Sequence, residues 1–166
     1  QSWAGQMLSH EDNELLCRTA AGTTMGEMMR RFWMPAVVLR ELEPDGKPIR
    51  IRLMGEDLVC FMDSKGDVGL LDEHCPHRGT SLALGANEDC GLRCLFHGWK
   101  FDVHGQCLDT PAEPENSQLA KHMRTKAYPT RIAGGMVWTY MGPPEKQPEF
   151  PHFPWFDMPE GSCEAF

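Results

Sequence analysis

Two short stretches of the chain carry metal-binding residue types, and they carry them in matching form. Cys75-Pro-His77-Arg-Gly and Cys94-Leu-Phe-His97-Gly-Trp each offer one thiolate and one imidazole, with sixteen residues between His77 and Cys94, a C-x-H-x16-C-x-x-H pattern. Such a set suits two chemistries. A closed tetrahedral site for structural zinc takes two cysteines and two histidines, and so does a binuclear iron–sulfur unit with sulfur ligands at one end and nitrogen ligands at the other. In the second case charge decides the chemistry. Two neutral imidazoles in place of two thiolates remove negative charge from the iron pair, and the potential rises from about −400 mV to between about −150 and +300 mV. The imidazoles also keep ring N–H groups that can face solvent or a partner and couple a proton to the electron.

Both half-sites fall in glycine-bearing loops after strand-like runs, and loops held by a rigid sheet are where binding residues concentrate. Gly79 and Gly98 follow the ligands and let backbone approach a bulky centre. The runs that must position these loops are short. Ile49-Arg-Ile-Arg-Leu alternates apolar and basic residues, Asp57-Leu-Val-Cys-Phe-Met follows a Gly55-Glu56 turn, and Val68-Gly-Leu-Leu-Asp follows an Asp63-Ser-Lys-Gly-Asp turn. Further strands are expected at Gly91 to Cys94, Lys100-Phe101, Gln106-Cys107-Leu108, Tyr128 to Ile132 and Met136 to Tyr140. Many short strands between close turns predict an all-β fold, a small antiparallel sandwich or barrel with a two-loop metal-binding subdomain.

Helical signals are confined to the start. Glu11 to Ala21 is one short candidate, and Thr23 or Thr24 caps a second that runs through Met25-Gly-Glu-Met-Met-Arg-Arg-Phe-Trp and is stopped by Pro35. After Gly142-Pro-Pro the chain turns proline- and aromatic-rich, with Pro148, Pro151, Pro154 and Pro159 among Phe150, Phe153, Trp155 and Phe156. That composition excludes helix and central strand and reads as an extended arm or linker. The expected organisation is an N-terminal helical segment (1–45) packed on the domain, the domain proper (46–142) and the arm (143–166).

Composition narrows the function. Of 166 residues 41% are apolar and 24% charged, which fits a soluble globular domain. The net charge of −8, with no basic block, argues against nucleic acid or an anionic membrane as partner. No apolar run is long enough to span a bilayer and Gln1 to Asn13 does not read as a secretion signal, so a cytoplasmic protein is expected. Seven cysteines at irregular spacings do not form a disulfide framework.

The residues around the ligands resemble a known family, the Rieske non-haem iron oxygenases or aromatic-ring-hydroxylating dioxygenases, and most of all its phthalate dioxygenase group. The likeness covers most of the chain: Met25-Gly-Glu-Met-Met-Arg-Arg-Phe-Trp-Met-Pro, Leu71-Asp-Glu-His-Cys-Pro-His-Arg-Gly-Thr-Ser-Leu, Gly91-Leu-Arg-Cys-Leu-Phe-His-Gly-Trp-Lys-Phe-Asp and Gly135-Met-Val-Trp-Thr-Tyr-Met-Gly. The resemblance implies a Rieske [2Fe–2S] cluster, with Cys75 and Cys94 on one iron and His77 and His97 on the outer one. It implies electrons arriving from a reductase or ferredoxin, since the sequence has no glycine-rich dinucleotide fingerprint and no flavin site. It also implies an acceptor, a mononuclear non-haem iron held by two histidines and a carboxylate, in the same or a neighbouring subunit of a homotrimer.

The remaining histidines (His10, His74, His104, His122, His152) include no pair at helical i, i+3 or i+4 spacing, so that iron is expected only in a further catalytic domain and no catalytic residue is assigned here. The chain accordingly reads as the N-terminal domain of a longer oxygenase subunit acting on an aromatic substrate. A free-standing Rieske ferredoxin and a structural zinc module are the alternatives. The respiratory Rieske branch differs, because its disulfide positions are here Thr80 and Phe96 and its cluster-bonding serine is here Trp99. Fewer hydrogen bonds to the sulfurs predict a potential in the lower half of the Rieske range.

The other notable residues have plainer readings. Cys17, Cys60, Cys90, Cys107 and Cys163 are expected as buried fillers or ordinary thiols, His74 as a locally bonded loop residue and His104 as a solvent-facing turn residue. Trp99, Phe101 and Trp138 are expected to pack and exclude water. Arg30-Arg31 reads as a solvated helix face or a docking patch.

Overall fold

Period-two patterning in Ile49-Arg-Ile-Arg-Leu places Ile49, Ile51 and Leu53 half-buried and Arg50 and Arg52 exposed in the computed structural model, which describes residues 7–159 apart from 115. The chain begins with helices α1 (His10–Cys17) and α2 (Thr24–Met29), followed by strands β1 (Trp33–Val38), β2 (Ile49–Leu53), β3 (Glu56–Met62), β4 (Val68–Asp72) and β5 (Ala86–Glu88). Then come β6 (Gly91–Arg93), β7 (Lys100–Phe101), β8 (Cys107–Asp109), the single-turn helix α3 (Leu119–His122), β9 (Ala127–Tyr128), β10 (Thr130–Ala133) and β11 (Met136–Tyr140). They form three antiparallel sheets, β1-β11-β10, β2-β3-β4-β9 and β5-β6-β7-β8. The all-β expectation holds.

The middle sheet is covered on both faces. Val59, Phe61 and Leu71 point into one apolar cluster with Leu92, Phe101 and Cys107 of the third sheet, while Leu58, Cys60 and Leu70 point into another with Val37 and Val137 of the first. That is why β3 reads as a continuous apolar run rather than an alternating one. Cys75 and Cys94, on the two loops predicted to bind metal, lie in the first of these clusters.

Several boundaries differ from the sequence reading. Thr23 does cap α2, accepting from the Gly26 N–H, but the helix stops at Met29 and the Trp33 segment is strand β1. Pro35 fits there because β1 is an edge strand with a bulge between Pro35 and Val37. The first helix, capped by Ser9, ends at Cys17 instead of reaching Ala21. The β2–β3 turn is Met54-Gly55, both at positive φ (50° and 81°), one position earlier than expected. The Tyr128 to Ile132 run splits in two at Pro129, which separates β9 from β10.

The proline-rich segment packs back on the first sheet instead of extending. The Trp33 indole N–H donates to the Pro148 carbonyl at 3.1 Å, Phe150 meets Trp33 edge-on, and Trp138 lies within 6.1 Å of Phe150, Phe153 and Phe156. Two short 3-10 turns, Pro144–Lys146 and Pro154–Asp157, shape it.

Candidate metal centre

The two ligand loops are closed by the same pair of backbone hydrogen bonds. Cys75 N–H donates to Thr80 O (2.9 Å) and Gly79 N–H to Cys75 O (2.8 Å); Cys94 N–H donates to Trp99 O (2.8 Å) and Gly98 N–H to Cys94 O (3.0 Å). The glycine at the matching place in each loop has φ of +72° or +73°, a conformation that a side chain disfavours. Local hydrogen bonding therefore fixes each predicted ligand cysteine to a turn of set shape.

The structure brings all four predicted ligands together as two pairs. Cys75 and Cys94 lie 2% and 3% exposed in the same apolar cluster. The His77 and His97 rings meet at 4.5 Å between centroids with 61° between planes, His77 exposed and His97 half-buried. Among the described residues no three His, Cys, Asp or Glu side chains converge on a point that would hold a single metal ion. Buried sulfur donors and more exposed nitrogen donors are a division that a binuclear unit can take.

Burial acts on the Cys75 sulfur. Desolvation pushes the Cys75 thiol up to about 11, against the backbone N–H groups of His77 and Arg78, which face the sulfur and favour thiolate. Iron bound there would outweigh the burial cost, because a coordinating thiol is deprotonated outright. Burial and the neighbouring His77 and Arg78 lower the His97 pKa, favouring the neutral form a metal ligand needs.

Trp99, expected as packing, has a more specific place: its ring lies flat on His77, 4.5 Å away with 4° between planes. Phe101 is fully buried, and Trp138 belongs to the aromatic cluster of the proline-rich segment. Leu95 and Phe96 stand exposed beside the imidazoles, Phe96 against His97 at 3.9 Å.

Several other readings are refined. Cys60 is a buried filler whose thiol burial raises to about 12, Cys107 is buried with its Sγ–H donating to Asp109 O, Cys17 is exposed and Cys90 half-buried; Cys163 lies outside the described residues. His74 is exposed and tied to Asp72, and His104 is an exposed turn residue. Arg30 is neither a solvated face nor a docking patch: it is buried and donates to Glu56 (2.6 Å) and to the Met54 carbonyl (2.8 Å), bolting α2 to the β2–β3 hairpin.

The sequence reading missed Glu73, Arg93 and Asp109. Glu73 is buried and takes Arg50 and the Ser81 hydroxyl; Arg93 joins Glu88, Asp109 and the Gly98 carbonyl. The available signal was a charged residue one or two places before each ligand cysteine, where a strand runs into the core.

Two cysteines and two histidines on twin loops above an antiparallel core suit an iron–sulfur centre, and the family model described as "Rieske [2Fe-2S] domain" matches residues 32–129. The chain belongs to that family, so its cofactor is a Rieske [2Fe–2S] cluster, and the donor set fits it. Over 145 residues, 87% of this chain and 33% of the relative, it is 53% identical to the phthalate 4,5-dioxygenase oxygenase subunit of Pseudomonas putida. Over 155 residues, 93% of this chain and 36% of the relative, it is 43% identical to the 3-chlorobenzoate-3,4-dioxygenase oxygenase subunit of Comamonas testosteroni. A solved structure of the QL mutant of Pseudomonas putida NdmA with theobromine superposes with a TM-score of 0.70 at 28% identity, over 80% of this chain and 40% of that one. The chain spans about a third of the length of the curated relatives it matches.

Proposed function

We propose that this chain is the electron-relay domain of an aromatic-ring-hydroxylating oxygenase. It takes single electrons from a reductase or ferredoxin and delivers them to a mononuclear non-haem iron that oxidises an aromatic substrate with dioxygen, in the same or a neighbouring subunit of a homotrimer in the cytoplasm. The observation that carries this reading is the pairing of two buried sulfurs with two touching imidazoles at the surface. The naming of its relatives as oxygenase subunits supports the oxygenase context over a free-standing ferredoxin.

Cys75 and Cys94 would hold the inner iron and His77 and His97 the outer one. When bound, the cluster supplies a one-electron carrier in the Rieske potential range. The protein's own residues do the rest. Trp99 and the apolar cluster keep water from the sulfurs, and the Trp99 ring orients His77. The exposed His77 gives a partner a point of contact, bordered by Leu95 and Phe96. Thr80 and Phe96 stand where a disulfide would otherwise brace the loops, and a potential in the lower half of the range is expected.

Absorption and EPR spectra before and after dithionite test the proposal. A brown protein whose reduced form gives a rhombic signal is expected, with both features lost in Cys75→Ser and His97→Ala. A colourless protein holding zinc and no acid-labile sulfide would sink it.

A further inference from the structure

Arg93 closes β6, one residue before Cys94. Its guanidinium is a rigid fork of five donors, and three hydrogen bonds use it here. Nε–H donates to Glu88 Oε1 at 2.7 Å, while Nη1 donates to Asp109 Oδ2 at 2.9 Å and to the Gly98 carbonyl at 2.7 Å. Glu88 and Asp109 lie on β5 and β8, the two outer strands of the third sheet, so one side chain ties both edges together. Ion pairs this exposed contribute little as pairs. Their consequence is to hold the fork in one orientation, with a donor aimed at Gly98.

The Gly98 carbonyl is placed to govern both imidazoles. Gly98 follows His97, so holding its carbonyl restrains the backbone that presents His97. The same carbonyl shares a rigid peptide plane with the Trp99 nitrogen, and the Trp99 ring is stacked on His77. Cys94 O holds the other side of the residue by accepting from Gly98 N–H, so Gly98 is fixed at both its nitrogen and its oxygen.

We infer that Arg93 is the positioning residue for both outer ligands, acting through the Gly98 carbonyl on His97 along the chain and on His77 through the Trp99 ring. This rests on the ligand assignment proposed above and adds a residue outside the metal-binding pattern. Lysine cannot replace it fully, because an ammonium is a point donor and lacks the planar fork that engages three acceptors at once.

The test uses cluster-loaded wild type, Arg93→Gln, Arg93→Lys and Asp109→Asn, with two readouts: g-values of the reduced EPR signal and the rate of iron loss to a chelator. Arg93→Gln should shift the g-values and lose iron about tenfold faster, the lower end of the effect seen when outer partners of metal ligands are removed. Arg93→Lys, which keeps the charge and folds most safely, should fall between it and wild type on both readouts. Asp109→Asn removes the charge but leaves an amide oxygen that can still accept from Nη1, so the fork keeps its aim at Gly98 and the g-values should stay as in wild type. Wild-type values in Arg93→Lys, or a g-shift in Asp109→Asn equal to that of Arg93→Gln, would overturn the inference. Wild-type protein without a Rieske signal would instead overturn the ligand assignment.

Discussion

The loops at 75–80 and 94–99 share a backbone and differ in what fastens it. The first is tied at its root: the buried Glu73 carboxylate takes Arg50 Nε at 2.5 Å and the Ser81 hydroxyl at 2.6 Å, while Glu73 backbone N–H reaches Asp57 O and its carbonyl takes Leu82 N–H. The second is tied near its tip, where Arg93 grips the Gly98 carbonyl. The histidines differ accordingly. His97 is half-buried on a gripped loop, whereas His77 is exposed and leans on the other loop's tryptophan. Two copies of one pattern thus play unequal parts, the second loop serving as frame and the first as the piece set into it.

Glycine substitutions should separate the loops most. Gly79→Ala puts a Cβ into open space and pays only for the left-handed backbone, about 1–2 kcal/mol. Gly98→Ala adds a Cβ 3.0 Å from Pro111 Cγ and should cost a further ~1 kcal/mol or more, read as a larger fall in urea midpoint. Equal costs would erase the distinction between the loops. Glu73→Ala should cost about 2 kcal/mol, as hydrogen bonds to a charged group do, and lower Tm. Because the imidazoles are oriented from the second loop, the EPR g-values should stay as in wild type.

The ring contact itself carries a smaller share, tested by Trp99→Leu, which removes the ring stacked on His77. It should cost about 1 kcal/mol beyond lost area, the worth of an aromatic pair, and shift the g-values where Glu73→Ala does not. The smallest effect gives a baseline away from both loops. Burial would raise the Glu56 pKa, but hydrogen bonds from Lys126, Tyr128 and Arg30 outweigh it and hold the carboxyl below its usual value. A depressed carboxylate contributes stability that is present above its unfolded pKa and lost as pH falls through the folded one, so the denaturation midpoint should drop below about pH 4.5. Glu56→Gln should remove that step, and loop variants should retain it.

Much of the centre was legible because its determinants are local. The ligand spacing, the two glycines and the alternation of Ile49 to Leu53 each depend on neighbouring residues alone. What was not legible depends on distant partners. Trp33 reads as the end of a helix and Pro35 as its stop, because the strand character of Trp33–Val38 comes from pairing with β11, a hundred residues on. Ala86-Asn-Glu has neither β-branching nor alternation and becomes β5 only against β6. The fold-back of the proline-rich segment needs Trp33 and Trp138 to meet Phe150, and no window of sequence holds all three. Arg93 was hidden for the same reason, since its partners lie before and after it on separate strands.

The doubly closed loops have a consequence for speed as well as shape. A surface segment usually relaxes when charge beside it changes, and that relaxation slows an electron's passage. Here each cysteine is pinned by its own amide and carbonyl, so few atoms are free to shift when the charge alters. Dipoles fixed beforehand need no rearrangement at the moment of transfer, and in the relay proposed above the imidazole end of the centre would sit at the protein's rim while answering with the stiffness of its interior.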